Sequence, residues 1–128
     1  MQTFAIASAL VVHDGKILIA KRAATKASAP GQWEIISGFL DTKEPIEELI
    51  LRELREETGM RGEITNRGEP YAHTDEEARW IIIPFLIKTK DHDTTLNPGD
   101  HSELKWILPE EMEQYPDLQA FLPVKNLL

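Results

Sequence analysis

Cysteine is missing from the chain. That absence removes disulfide frameworks, thiolate zinc sites, redox pairs and cysteine nucleophiles together, so any metal must be held by oxygen or imidazole. Long apolar runs are missing as well: residues 81–87 form the longest stretch beyond the N-terminal segment, far too short to span a bilayer. The start, MQTFAIASALVVHDGK, has neither the basic residues nor the small-residue cleavage site of a signal peptide, and Asp14 and Lys16 end its apolar run. A soluble, cytoplasmic protein with no membrane association is expected. Positive charge is scarce too, with 14 Lys and Arg against 22 Asp and Glu and a formal net charge of −8. Such a surface repels a polyanion, whereas nucleic-acid binding by counterion release needs clustered Lys and Arg. A small phosphorylated ligand stays open, because bound divalent cations turn an acidic pocket into a phosphate site.

The 128 residues, 41% hydrophobic, suit one domain over 1–128 with a modest core. Residues 4–13 and 17–20 are apolar runs joined by Asp14-Gly15, which predicts a β-hairpin. Residues 23–32 read as a loop ending in Pro-Gly, before a short strand over 33–36. The longest helical pattern follows, with Pro45 as its first residue, apolar Ile46, Leu49, Ile50 and Leu54, and Gly59 as terminator. Strands are expected over 63–66, 69–73 and 79–88, with Pro84 marking an edge or bulge in the last. Residues 89–101 form a polar loop, 103–108 a strand, and short helices are expected near Pro109 and Asp117. Strands around one long helix predict an α/β (α+β) sandwich.

At about 100° per residue, Glu53, Glu56 and Glu57 continue the stripe of Ile46, Leu49 and Ile50. Three carboxylates thus stand where a core-facing helix should be apolar, at the helix end whose dipole disfavours them. Desolvating them costs several kcal/mol each at order of magnitude unless something positive compensates, and a divalent cation is the simplest compensation. Surface pairing with Arg52 and Arg55 is the bland alternative, but two arginines cannot neutralise a set that also includes Glu44, Glu47 and Glu48.

The segment GFLDTKEPIEELILRELREETGM, residues 38–60, resembles the Nudix box, G-x5-E-x7-R-E-U-x-E-E-x-G-U with U aliphatic. Gly38, Glu44, Arg52, Glu53, Leu54, Glu56, Glu57, Gly59 and Met60 fill every specified place without insertion. ILIAKR and PGQWEIISG before it are similar to the family's flanking segments, except that Ile36-Ser37-Gly38 replaces the usual Pro-Gly-Gly. The resemblance implies a Nudix-type α/β/α sandwich with a central mixed sheet. It implies that Glu53, Glu56 and Glu57 bind Mg2+ or Mn2+, joined by the carbonyl of Gly38, all hard oxygen donors. It also implies that Arg52 orients the catalytic carboxylates and that Glu44 holds that arginine or a water.

The activity implied is metal-dependent hydrolysis of a diphosphate linkage in a nucleotide-like small molecule, with a water attacking phosphorus in line. Glu53 is the first candidate for the base and Glu103 the alternative, while Arg22 is a candidate phosphate contact or a surface ion pair. Compact length favours a MutT-like nucleoside triphosphate pyrophosphohydrolase over hydrolysis of ADP-ribose or a nucleotide sugar, as a monomer or homodimer. A nonenzymatic nucleotide-binding module would be free to lose the glutamates, and all are present. Isopentenyl diphosphate isomerase chemistry needs a cysteine. No aromatic residue is assignable to a base, and His73, His92 and His101 read as surface or loop histidines.

Overall fold

The structure, a computed structural model, describes residues 1–128. Asp14 and Gly15 take φ of 49° and 73°, the paired left-handed conformation of a tight hairpin, and join β1 (Gln2–His13) to β2 (Lys16–Arg22) as the sequence predicts. The single strand expected over 33–36 is two: β3 (Trp33–Glu34) pairs with β2, and β4 (Ile36–Phe39) pairs with β1. Between them Ile35 and Ile36 point into opposite cores, so the chain passes from one strand partner to the next without losing either apolar contact.

Helix α1 (Ile46–Thr58) starts one residue later than expected, with Pro45 as its cap residue. Next come β5 (Gly62–Arg67), β6 (Tyr71–Thr74), β7 (Ala78–Thr89) and β8 (His101–Ile107). The helices expected near Pro109 and Asp117 are 3₁₀ turns, over Pro109–Gln114 and Pro116–Leu127. β1 and β7 run parallel over eleven paired residues from Gln2–Ala78 to Val12–Lys88, while every other pairing is antiparallel, so the sheet is mixed.

Pro84 lies on neither an edge nor a bulge of its own strand: β7 is central, with β1 on one side and β5 and β6 on the other. Its carbonyl accepts from Gly68 N–H, in the break between β5 and β6. The N–H that proline lacks would face the same break, so no ladder bond is lost.

Both sheet faces are covered. Leu49, Ile50 and Leu54 of α1 are buried against Ala7, Ala9, Val11, Leu18, Ala20, Phe85 and Ile87. The alanines on this face leave room for the helix to approach. Met112, Leu118 and Val124 of the 3₁₀ segments cover Leu10, Ile17, Ile19, Ile35 and Ile107 on the other.

The last turn of α1 carries two of the box glutamates and is tied down from three directions. Gly59, at φ 73°, donates its N–H to the Arg55 carbonyl. Thr58 Oγ1 donates to the Leu54 carbonyl at 2.6 Å and accepts from Met60 N–H at 3.1 Å. From the polar loop, Thr95 N–H reaches the Thr58 carbonyl at 2.7 Å and Asn97 Nδ2 the Glu56 carbonyl at 3.2 Å, so two orphan helix carbonyls are satisfied. Replacing Thr58 by valine keeps the volume but strands the buried Met60 N–H. Thr58→Val should therefore lower unfolding free energy by about 1–3 kcal/mol, measured by urea denaturation.

Candidate active site

The site forms where β4 meets the middle of α1. A Cβ built on Gly38 would lie 2.7 Å from Glu53 Cγ and 3.0 Å from Leu49 Cδ2. Only glycine lets the strand backbone pass this close to the helix, and that passage seats Glu53 beside the Gly38 backbone. Ser37, the departure from the usual glycine, spends its hydroxyl inward, 2.8 Å from Ser8 Oγ on β1. The substitution is absorbed by the sheet.

The three glutamates do not share one environment, as the single inward stripe had implied. Glu57 is 7% exposed, whereas the side chains of Glu53 and Glu56 are 23% and 53% exposed. Glu56 sits at the edge of the stripe on the side of Arg52, which pulls it outward: Arg52 Nη1 donates to Glu56 Oε2 at 3.0 Å and to Glu53 Oε1 at 3.4 Å. Arg52 Nε forks onto both Glu44 oxygens at 3.0 and 3.1 Å, and Nη2 also pairs with Glu44. Arg52 thus contacts Glu44, Glu53 and Glu56 at once, the residues whose roles the resemblance linked to it. Arg52 holds Glu44 well below the usual carboxylate range, and Glu44 in turn strengthens the proton hold of the guanidinium.

Inside this rim lies a polar chain that the sequence did not reveal. Arg22, at the end of β2, donates to Glu34 Oε1 at 3.2 Å. Glu34 Oε2 accepts from His101 Nε2 at 2.7 Å, and the same nitrogen lies 3.7 Å from Glu57 Oε1. His101 is 1% exposed, so the reading of it as a loop or surface histidine is overturned. β8 begins two residues earlier than expected, and a bulge opposite Lys21 and Arg22 turns His101 toward α1. Glu103 pairs in register with Lys21, on the far side of that bulge. It lines neither cavity, so the structure does not bring it to the other candidates.

Burial, then the charges of Glu53 and Glu34, push the Glu57 carboxyl far above its ordinary range. Glu53 is raised as well, mainly by desolvation, and the pair shares its protons. A cavity of about 240 Å³ is lined by Glu34, Gly38, Glu53, Glu57, Asp100 and His101, together with the cations Arg22 and Lys26. Arg22 and Glu34 also line a second cavity of about 570 Å³, walled by Trp33, Trp80, His73, Asp117 and the acidic turn at 75–77.

Residues 3–124 match the family model described as NUDIX domain. The chain belongs to the NUDIX domain family. It is 35% identical to the CTP pyrophosphohydrolase of Escherichia coli strain K12 over 125 residues, covering 97% of this chain and 90% of that protein. It is 29% identical to the nucleoside triphosphatase NudI of Klebsiella pneumoniae strain 342, covering 94% and 92%. Among solved structures it resembles a MutT protein from Methanosarcina mazei Go1, with a TM-score of 0.84 at 23% identity over 98% of this chain and 91% of that one. The E. coli ORF135 protein matches with a TM-score of 0.74 at 28% identity, over 99% and 89%. The α/β/α fold expected from the sequence is therefore the Nudix fold, and the chain is a Nudix hydrolase.

Nudix enzymes generally use divalent metals, and the side chains here fit one. Glu57 Oε2 and His101 Nδ1 are buried with no hydrogen-bond partner, beside a second carboxylate that burial already disfavours. A cation would relieve the first and the last of these.

Two outcomes follow from this electrostatic picture. Gly38→Ala should displace Glu53 and reduce activity with little change in secondary structure, measured by turnover together with circular dichroism. Metal-free Glu57→Gln should be as stable as the parent or more so, because the folded-state pKa of Glu57 lies above its unfolded value of 4.5 and its contribution is lost as pH rises from there. The gain over the parent should be larger at about pH 8 than at about pH 5, read from thermal melts with chelator. A metal-free Glu57→Gln that melts clearly below the parent would contradict an uncompensated acidic cluster.

Proposed function

We propose that this chain hydrolyses a nucleoside triphosphate to the monophosphate and pyrophosphate. The observation that carries the reading is the pair of adjoining cavities sharing Arg22 and Glu34, one lined by the box glutamates Glu53 and Glu57 and the other walled by Trp33 and Trp80. The phosphates would lie in the smaller cavity and the nucleoside in the larger, whose volume suits a small ligand. The names of the relatives, a CTP pyrophosphohydrolase and a nucleoside triphosphatase matched over most of their length, support the same class.

Glu53, Glu56, Glu57 and the Gly38 carbonyl are the proposed holders of Mg2+ or Mn2+. When bound, such a cation neutralises diphosphate charge and lowers the pKa of the attacking water. Glu53 takes the proton from that water, since it lines the phosphate cavity and Glu103 does not. Arg52 fixes the carboxylate of Glu53 from outside the cavity, and Glu44 fixes Arg52. Arg22 gives up part of its pairing with Glu34 to a phosphate oxygen, a bidentate match for a guanidinium.

The larger cavity also bears on the base. Its charged lining is dominated by acceptors: Glu34, Asp75, Glu76, Glu77 and Asp117. Trp33 and Trp80 offer flat faces. Acceptors favour a base that presents an exocyclic amino group, which cytosine has and uracil lacks.

Incubation with a panel of nucleoside triphosphates, ADP-ribose and nucleotide sugars, with and without magnesium, tests the class. We expect magnesium-dependent turnover of triphosphates, with CTP exceeding UTP in kcat/KM and pyrophosphate seen by phosphorus NMR. Orthophosphate as the sole inorganic product would overturn the bond assignment. Glu53→Gln should cut the maximal rate by roughly 100-fold or more at saturating metal, while Glu56→Gln should mainly raise the metal concentration required.

A further inference from the structure

Beside the box glutamates Glu53 and Glu56, three side chains from two strands and the helix converge: partly buried Glu34 from β3, buried Glu57 from α1 and buried His101 from β8. One ligand atom from each lies within 4.8 Å of the other two. His101 Nε2 is at the centre, 2.7 Å from one carboxylate oxygen and 3.7 Å from the other. Ligand atoms bound to one cation at about 2.0–2.1 Å in tetrahedral geometry stand about 3.4 Å apart, so these separations bracket what a shared ion needs. No long rearrangement of side chains is required.

The surroundings also point to a ligand. Glu57 is nine-tenths buried, lines the smaller cavity, and leaves its Oε2 with no partner. Across that cavity the formal charges are unequal, four carboxylates (Glu34, Glu53, Glu57 and Asp100) facing Arg22 and Lys26. The set differs in chemistry from the outer carboxylates Glu53 and Glu56, because it includes an imidazole. Oxygen-only sites suit magnesium, whereas imidazole favours zinc, cobalt and other transition cations.

We propose that Glu34, Glu57 and His101 form an inner, nitrogen-containing site for a transition-metal cation, distinct in metal preference from the oxygen-only outer carboxylates. On binding the ion, His101 Nε2 gives up its hydrogen bond to Glu34 and presents its lone pair, and the ring proton moves to Nδ1, which has no other partner. Glu34 then serves two groups, one oxygen toward the ion and the other toward Arg22. Glu57 links the inner site to Glu53 and thus to the outer carboxylates. The inference concerns the same cluster as the proposed hydrolysis, but its test does not use turnover.

Zinc, cobalt and magnesium binding to the whole protein would be measured by calorimetry. The ring nitrogens of His101 would be followed by nitrogen-15 NMR on the parent protein, assigned through bonds from the backbone resonances of His101. Zinc should move the Nε2 resonance of His101 strongly. His101→Gln and Glu34→Gln should each weaken zinc and cobalt binding by about tenfold or more while leaving magnesium binding unchanged. Ring resonances that stay in place at saturating zinc would overturn the proposal, as would an equal loss of magnesium and zinc affinity in His101→Gln, which would leave the ring only a positioning role. The NMR readout on the parent protein decides the matter even if a variant fails to fold. Failure of triphosphate turnover is a separate result, because no step here depends on it.

Discussion

The site depends on a carboxylate kept largely out of water. Glu57 is buried beside Glu53 and Glu34 at the negative end of α1, and each of those features opposes its ionisation. Such an arrangement persists only if the rest of the structure over-determines it. Fully burying Leu49, Ile50 and Leu54 contributes about 1.5–3 kcal/mol per side chain, enough together to offset the several kcal/mol that one desolvated carboxylate costs. The helix is pressed onto the sheet by its aliphatic turns, and its acidic turn is carried in with them.

Geometry on the sheet side follows from that pressure. Small residues at Ala7, Ala9, Ala20 and Gly38 let α1 come close, and Gly38 is where strand and helix carboxylate nearly touch. The polar loop between β7 and β8 then has two tasks. Thr95 and Asn97 close off the helix carbonyls, while Asp100 approaches Lys26 at 3.2 Å and brings its neighbour His101 under the cluster. A loop that reads as undistinguished polar sequence thus joins the helix end to the floor of the site.

The legible parts of the sequence were those governed by local spacing. Asp14-Gly15 gave its hairpin, Gly59 its helix stop, and the complete box gave the family and the Arg52–Glu44 fork. What escaped was decided by pairing over long distance. Glu34 and His101 are 67 residues apart, and nothing local distinguishes either from an exposed residue. His101 turns inward because of a bulge opposite Lys21 and Arg22, and a single-residue shift in a strand reverses which face each side chain takes. Glu103, in the regular pairing beyond that shift, does not line the cavity. Helical periodicity likewise placed Glu53 and Glu57 well, but it could not tell that Arg52 would draw Glu56 to the rim.

Different exposure of the three box glutamates divides their chemistry. Glu56, half in water and paired with Arg52, can exchange partners at little electrostatic cost. Glu57 cannot, since any ion that leaves it strands a buried charge or forces it to take up a proton. Glu53 stands between, partly desolvated and coupled to both neighbours, with its proton affinity raised. A base must lose its proton readily enough to be available and hold one firmly enough to pull it from water, and a raised carboxyl meets the second need. Under the proposed role of Glu53 as base, cation charge placed beside it would meet the first, so metal binding and readiness of that base would be one equilibrium, read through Glu53 and Glu57.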